Sequence, residues 1–129
     1  MSTLERVLYS ADQTGSTSAT SQSVIYPFSE KGYISAVYYE PETAISQDDT
    51  NYQTLSVSAN STTIASLTTQ ATGGSAISAD VPVSLTMAAG VRDKAEVEQG
   101  DALTVATTPT GTGPSYSGRF VVVVTLNRY

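Results

Sequence analysis

The chain has 129 residues, a formal net charge of −6 and a pI near 4.3, and it contains neither cysteine nor histidine. Those absences exclude disulfides, thiolate catalysis and imidazole-based metal sites or mechanisms, and the acidic balance opposes a nucleic-acid backbone. Apolar residues make up 40% and the polar fraction is dominated by 18 serines and 19 threonines, which suits one β-rich domain over residues 1–129 with hydroxylated solvent faces.

Strand periodicity begins at Leu4–Ser10, although Glu5 and Arg6 interrupt the apolar run that a secretory leader requires. The next stretch, Thr14–Ser23 (TGSTSATSQS), is small and polar. It predicts a long loop or arm, so that residues 1–23 reach out to neighbouring molecules. Further strands are expected at Gln22–Phe28, Tyr33–Glu40, Tyr52–Ser58, Thr62–Thr68, Val83–Met87, Ala95–Glu98, Ala102–Thr107 and Arg119–Asn127. Turn clusters separate them, at Glu30–Gly32, Ser46–Asn51, Ala59–Ser61, Gly73-Gly74, Gln99–Asp101 and Pro109–Pro114. A single helical turn is expected around Ala88–Asp93. The longest strictly apolar run, Phe120–Val124, falls far short of the ~20 residues of a membrane helix.

This spacing of short strands predicts an all-β fold, a jelly-roll-like β-sandwich of about eight strands with an N-terminal arm or long loop. The last strand, RFVVVVTLN, is apolar on both sides. Phe120, Val122, Val124 and Leu126 share the face expected to meet the core, while Val121 and Val123 point the other way. Their cover is either the long segment Thr68–Asp80 or another subunit. Tyr38 and Tyr39 also point to opposite faces, so at least one lies near solvent or a partner. The interface candidates are therefore Tyr38, Tyr39, Val121, Val123 and Tyr129.

Chemistry-bearing motifs are weak by comparison. GTGPSYSG, residues 111–118, is glycine-rich but has no lysine and opens no helix, so it reads as a hairpin loop and not a phosphate cradle. Asp48-Asp49 with Asn51 lacks the alternating ligands and the glycine of a calcium loop and reads as a capped turn. Glu96 and Glu98 fall on one strand face, with Asp101 beyond, and nothing in the sequence pairs them across a cleft. No S-x-x-K spacing occurs. Asn60-Ser61-Thr62 is a glycosylation triplet of the kind a Ser/Thr-rich chain produces by chance. No catalytic residue, metal ligand or cofactor is assigned.

One resemblance covers roughly the last two-thirds of the chain. VYYEPETAISQDDTNYQTLSV (37–57), VEQGDALTV (97–105), GTG (111–113) and VVVVTL (121–126) occur in an order that resembles small capsid decoration, or cement, proteins of tailed bacteriophages. The resemblance implies a structural, non-enzymatic virion protein on the exterior of the capsid. Its implied partners are the major capsid protein of the phage head and further copies of itself, typically as a trimer, with no nucleic acid or membrane bound. A trimer would cover the spare face of Arg119–Asn127. The alternative is a phage fibre or adhesion module that binds a host-surface receptor or carbohydrate.

Overall fold

The computed structural model describes residues 3–88 and 96–128, and within them every regular element is a β-strand. From its innermost pair outwards, the chain is one long hairpin. Strand β4 (Tyr52–Ala59) turns back into β5 (Thr62–Thr68) through Asn60-Ser61, whose φ angles are 48° and 70°. Two consecutive left-handed residues are what a two-residue hairpin demands. Outside it, β3 (Gly32–Pro41) pairs with β6 (Val83–Ser84) and β8 (Glu96–Val97). Next come β2 (Thr20–Ile25) with β9 (Ala102–Thr110), and β1 (Thr3–Gly15) with β10 (Tyr116–Arg128). Alternate pairs fall in opposite sheets. The first sheet runs β1-β10-β3-β6, with β8 also on β3, and the second runs β2-β9-β4-β5-β7, where β7 is Thr86–Met87. This nested, antiparallel winding is the jelly roll that the sequence predicted.

The described residues hold ten strands where the sequence suggested about eight. Val83–Met87, read as one strand, crosses between the sheets: β6 pairs with β3, β7 pairs with β5, and buried Leu85 sits between them. The crossing keeps its backbone satisfied, because the Leu85 N–H donates to the Val37 carbonyl at 2.9 Å. The helical turn expected at Ala88–Asp93 lies outside the described residues except for Ala88, whose N–H donates to Ile64.

The core follows the alternation of the strands. Phe120, Val122, Val124 and Leu126 are all buried, as the period-2 pattern of the last strand required. They meet Ile34, Val37 and Tyr39 on the neighbouring β3 and face Leu55, Val57, Leu103 and Val105 of the second sheet. The register against β3 shifts between Val123 and Val124. This bulge lets Ile34 and Val37, three residues apart, both point inward.

Two expectations need correction. Thr14–Ser23 is no long loop or arm: β1 continues to Gly15, β2 begins at Thr20, and only residues 16–19 connect them. Composition misled because the segment is held by its backbone and its neighbours: β1 stays paired with β10 as far as Gly15, and β2 pairs with β9 from Thr20 onward. Gln13, 2% exposed, donates from Nε2 to the Val105 carbonyl at 3.1 Å and accepts at Oε1 from the Thr107 hydroxyl at 2.6 Å. Gln53 Nε2 donates to the Ser16 carbonyl, and the Tyr116 hydroxyl contacts Thr20 Oγ1 at 2.6 Å and donates to the Ser18 carbonyl at 3.2 Å. Gln13 thus stitches the two sheets together. Gln13→Ala strands a buried hydroxyl and is expected to cost about 1–3 kcal/mol in urea denaturation; an unchanged midpoint would show that the cross-sheet bonds contribute nothing.

The second correction concerns Thr68–Asp80 as a cover for β10. Ile77, buried, bridges to Ile45, Thr69 N–H donates to Gln53, and Asp48 N–H donates to Thr69. The segment's bonds run to the 45–48 chain and β4, and at its end to the Pro41 carbonyl of β3, and none of them reaches Val121 or Val123.

Candidate interaction surface

The outward face of the first sheet is built in three cross-strand rows over β1, β10 and β3. They are Leu8–Val123–Ala36, Ser10–Val121–Tyr38 and Asp12–Arg119–Glu40. Opposed side chains in such rows lie close enough to pack. Val121, Val123 and Ala36 are half-buried among these neighbours, whereas Leu8 is 69% and Tyr38 41% exposed. The third row ends the apolar region in charge: Arg119 Nη2 donates to both Glu40 carboxylate oxygens at 3.1 Å. Both partners are solvent-exposed, so the pair adds little to stability.

Leu8 carries the apolar surface around the edge of the sandwich. β1 and β2 are the edge strands of their sheets. Between them opens an apolar cleft of about 390 Å³, lined by Leu8, Tyr9, Val24, Ile25, Phe28 and Leu103 among others. Ile25, at its mouth, is 56% exposed. An apolar surface thus runs from Tyr38 through Val121, Val123 and Leu8 to Ile25, and contiguous exposed apolar surface is what interaction sites present.

Of the five sequence candidates, the structure brings Tyr38, Val121 and Val123 together on this face. Tyr39 is corrected. It is 0% exposed and packs edge-on against Phe120, with ring centroids 5.2 Å apart, because the β10 register places it opposite an inward-facing residue. Its buried hydroxyl has no partner among the described residues. Burial, with Tyr116 and Glu42 nearby, pushes its pKa up to about 12. Tyr129 lies outside the described residues. Sequence reasoning missed Leu8 and Ile25. Each sat in a predicted strand, but nothing local says that their strands are edges facing each other.

The other motifs resolve into turn chemistry. In the 111–118 loop, Thr112 donates from N and Oγ1 to Asn51 Oδ1 at 2.8 Å, which ties the loop to the 48–51 turn. Glu98 pairs with Lys31 at 3.4 Å on the surface, and Asp101 accepts from the Glu98 N–H. Asn60 Oδ1 accepts from the Ala102 N–H at 3.0 Å, so this side chain anchors its hairpin to β9. No group of three or more histidine, cysteine, aspartate or glutamate residues is placed to hold a metal ion among the described residues.

Asp48 is a turn cap. Its carboxylate accepts from the N–H groups of Asn51 at 2.6 Å and Thr50 at 2.7 Å, and these bonds hold its pKa below the usual 3.8. A pKa lowered by folding contributes stability above pH 3.8 that is lost as pH falls through the folded-state value. Asp48→Asn is therefore expected to melt lower than the native chain at neutral pH and to lose less on acidification. Thermal melts from about pH 5 down to about pH 2 check this; parallel pH profiles for the two proteins would contradict it.

No family model matches the chain, and no curated protein matches it. Among solved structures, it is similar to a chain from one described as "Bacillus endospore appendages form a novel family of disulfide-linked pili", at 14% identity and a TM-score of 0.37. The match covers 100% of this chain and 92% of that one. A likeness this distant carries no functional argument.

Proposed function

We propose that this protein is a structural component of a tailed-phage virion, bound to the outside of the head and clamping neighbouring major capsid proteins. The observation that carries the reading is the continuous apolar surface over Tyr38, Val121, Val123, Leu8 and Ile25, in a chain with few charges. The resemblance of residues 37–57, 97–105, 111–113 and 121–126 to decoration proteins supports it from the sequence. Protomers associate through the outward face of the first sheet into a homo-oligomer, a trimer in this reading, and the oligomer spans the seams between capsid subunits. No chemistry is catalysed and no cofactor is used.

A protein that binds only the assembled lattice stabilises it by mass action, by about 2.7 kcal/mol per site at a hundredfold excess over Kd. Apolar contact supplies the affinity, so binding resists added salt. The test mixes purified protein with undecorated heads of the phage that encodes it, sediments them, and heats the pellet. Co-sedimentation at both low and high salt with a raised rupture temperature is expected. Heads that fail to bring the protein down, or that rupture at an unchanged temperature, would overturn the reading.

A further inference from the structure

The outward face of the second sheet has a different chemistry. Its cross-strand rows are Thr108–Thr54–Thr68 and Ala106–Ser56–Ser66, and Ser66 continues to Thr86 on β7. Ser58 lies opposite Thr104, which lies opposite Ser23. None of these positions carries a charge. Where the chain leaves β5, residues 70–75 rise beside this face and close a groove of about 500 Å³, within the range of small-molecule sites.

The groove is lined by Tyr52, Thr54, Ser66, Gln70, Ser75 and Thr86, among others, and by the backbone of Gly73-Gly74. Tyrosine apart, no lining residue is ionisable. The side chains of Thr54, Ser66, Gln70, Ser75 and Thr86 make no hydrogen bond to another described residue, whereas Ser23 and Thr104 on the same face bond each other at 2.7 Å. The glycines shape the rim. Gly74 passes so close to the Thr68 and Gln70 carbonyls that a β-carbon would collide with them. Gly73, at φ +81°, faces open space and leaves that part of the rim without a side chain.

We propose that this groove binds a neutral saccharide. An anionic ligand would find no cation here, and a metal ion or basic ligand no carboxylate. An apolar ligand would strand the hydroxyls, leaving donors and acceptors unpaired. A sugar matches both halves of the lining. Its C–H face suits an aromatic surface such as Tyr52, and its hydroxyls suit the Thr, Ser and Gln groups that stand free. The site lies on the sheet opposite the apolar face and so stands apart from the contacts between protomers in the proposed oligomer.

Saturation-transfer NMR on the full chain tests this, with glucose, galactose, N-acetylglucosamine and α- and β-linked trisaccharides of each as probes. At least one probe is expected to bind at or below about 10 mM. Tyr52→Ala is expected to weaken that probe about tenfold, and Gln70→Ala, a change beyond the end of β5 that spares the sheet, severalfold. Thr104→Ala, on the same face outside the groove, should bind as the native chain does. Absence of saturation transfer from every probe would overturn the proposal, as would unchanged binding in both groove variants. Head co-sedimentation by Tyr52→Ala should equal that of the native chain, so failure here is distinguishable from failure of the head-binding reading.

Discussion

Val124→Asp is expected to unfold the isolated protomer, and Val123→Asp to leave it folded. The two valines are chain neighbours on one strand and differ only in the face they present. Val124 is 2% exposed and lies opposite Ile34 in the core. Its replacement forfeits about 1.5–2 kcal/mol of apolar burial and puts a carboxylate into the apolar core, a further penalty of several kcal/mol. Together these rival the ~5–15 kcal/mol stability of a typical domain. Val123 is half-buried on the outward face between Leu8 and Ala36, so its aspartate turns into water. Urea denaturation followed by circular dichroism separates the two. Equal midpoints would show that the strand's faces are assigned wrongly.

The same Val123→Asp protein supplies the second large effect, on assembly. If the outward face of the first sheet joins protomers, a charge at its centre is buried without a partner at each contact and dissociates the oligomer. Analytical ultracentrifugation is expected to show the native chain as a trimer and the variant as a folded monomer. Loss of the oligomer also removes multivalent attachment, and linked sites bind about 10²–10⁴-fold more tightly than single ones. Head occupancy is therefore expected to fall by at least about a hundredfold, beyond the loss of one valine contact. A variant that remains trimeric, or a monomer that decorates heads as tightly as the native protein, would contradict this use of the face.

Much of the fold was legible because alternation carries it. In β4, YQTLSVSA alternates half-buried and buried residues without a break, and in β10 the inward set is the one its pattern gives. The failures share one physical cause, long-range satisfaction of polar or ambiguous residues. Gln13 lies beyond the end of the expected first strand, and it is buried there because Val105 and Thr107, some ninety positions away, supply its hydrogen bonds. The pair Tyr38-Tyr39 shows that the faces differ but not which is inner; the register against Val121 and Phe120 decides that. Leu85 reads as mid-strand, yet the strand ends there because its two halves belong to different sheets.

The site was legible only in part. Val121, Val123 and Tyr38 were visible as apolar or aromatic residues on the spare side of a strand. Leu8 and Ile25 became part of the same surface only once β1 and β2 were known to border one cleft. The groove beside Tyr52 draws on three strands and a loop, β4, β5, β7 and residues 70–75, and no local pattern announces it.

A cryo-electron microscopy reconstruction of decorated heads tests the central claim most directly. It is expected to show trimers on the outer surface of the shell, with the outward faces of the first sheets packed together so that Leu8, Tyr38, Val121 and Val123 are buried, and with the hydroxylated second sheet facing solvent. Heads without added density, or density in which those four side chains face solvent, would contradict the account.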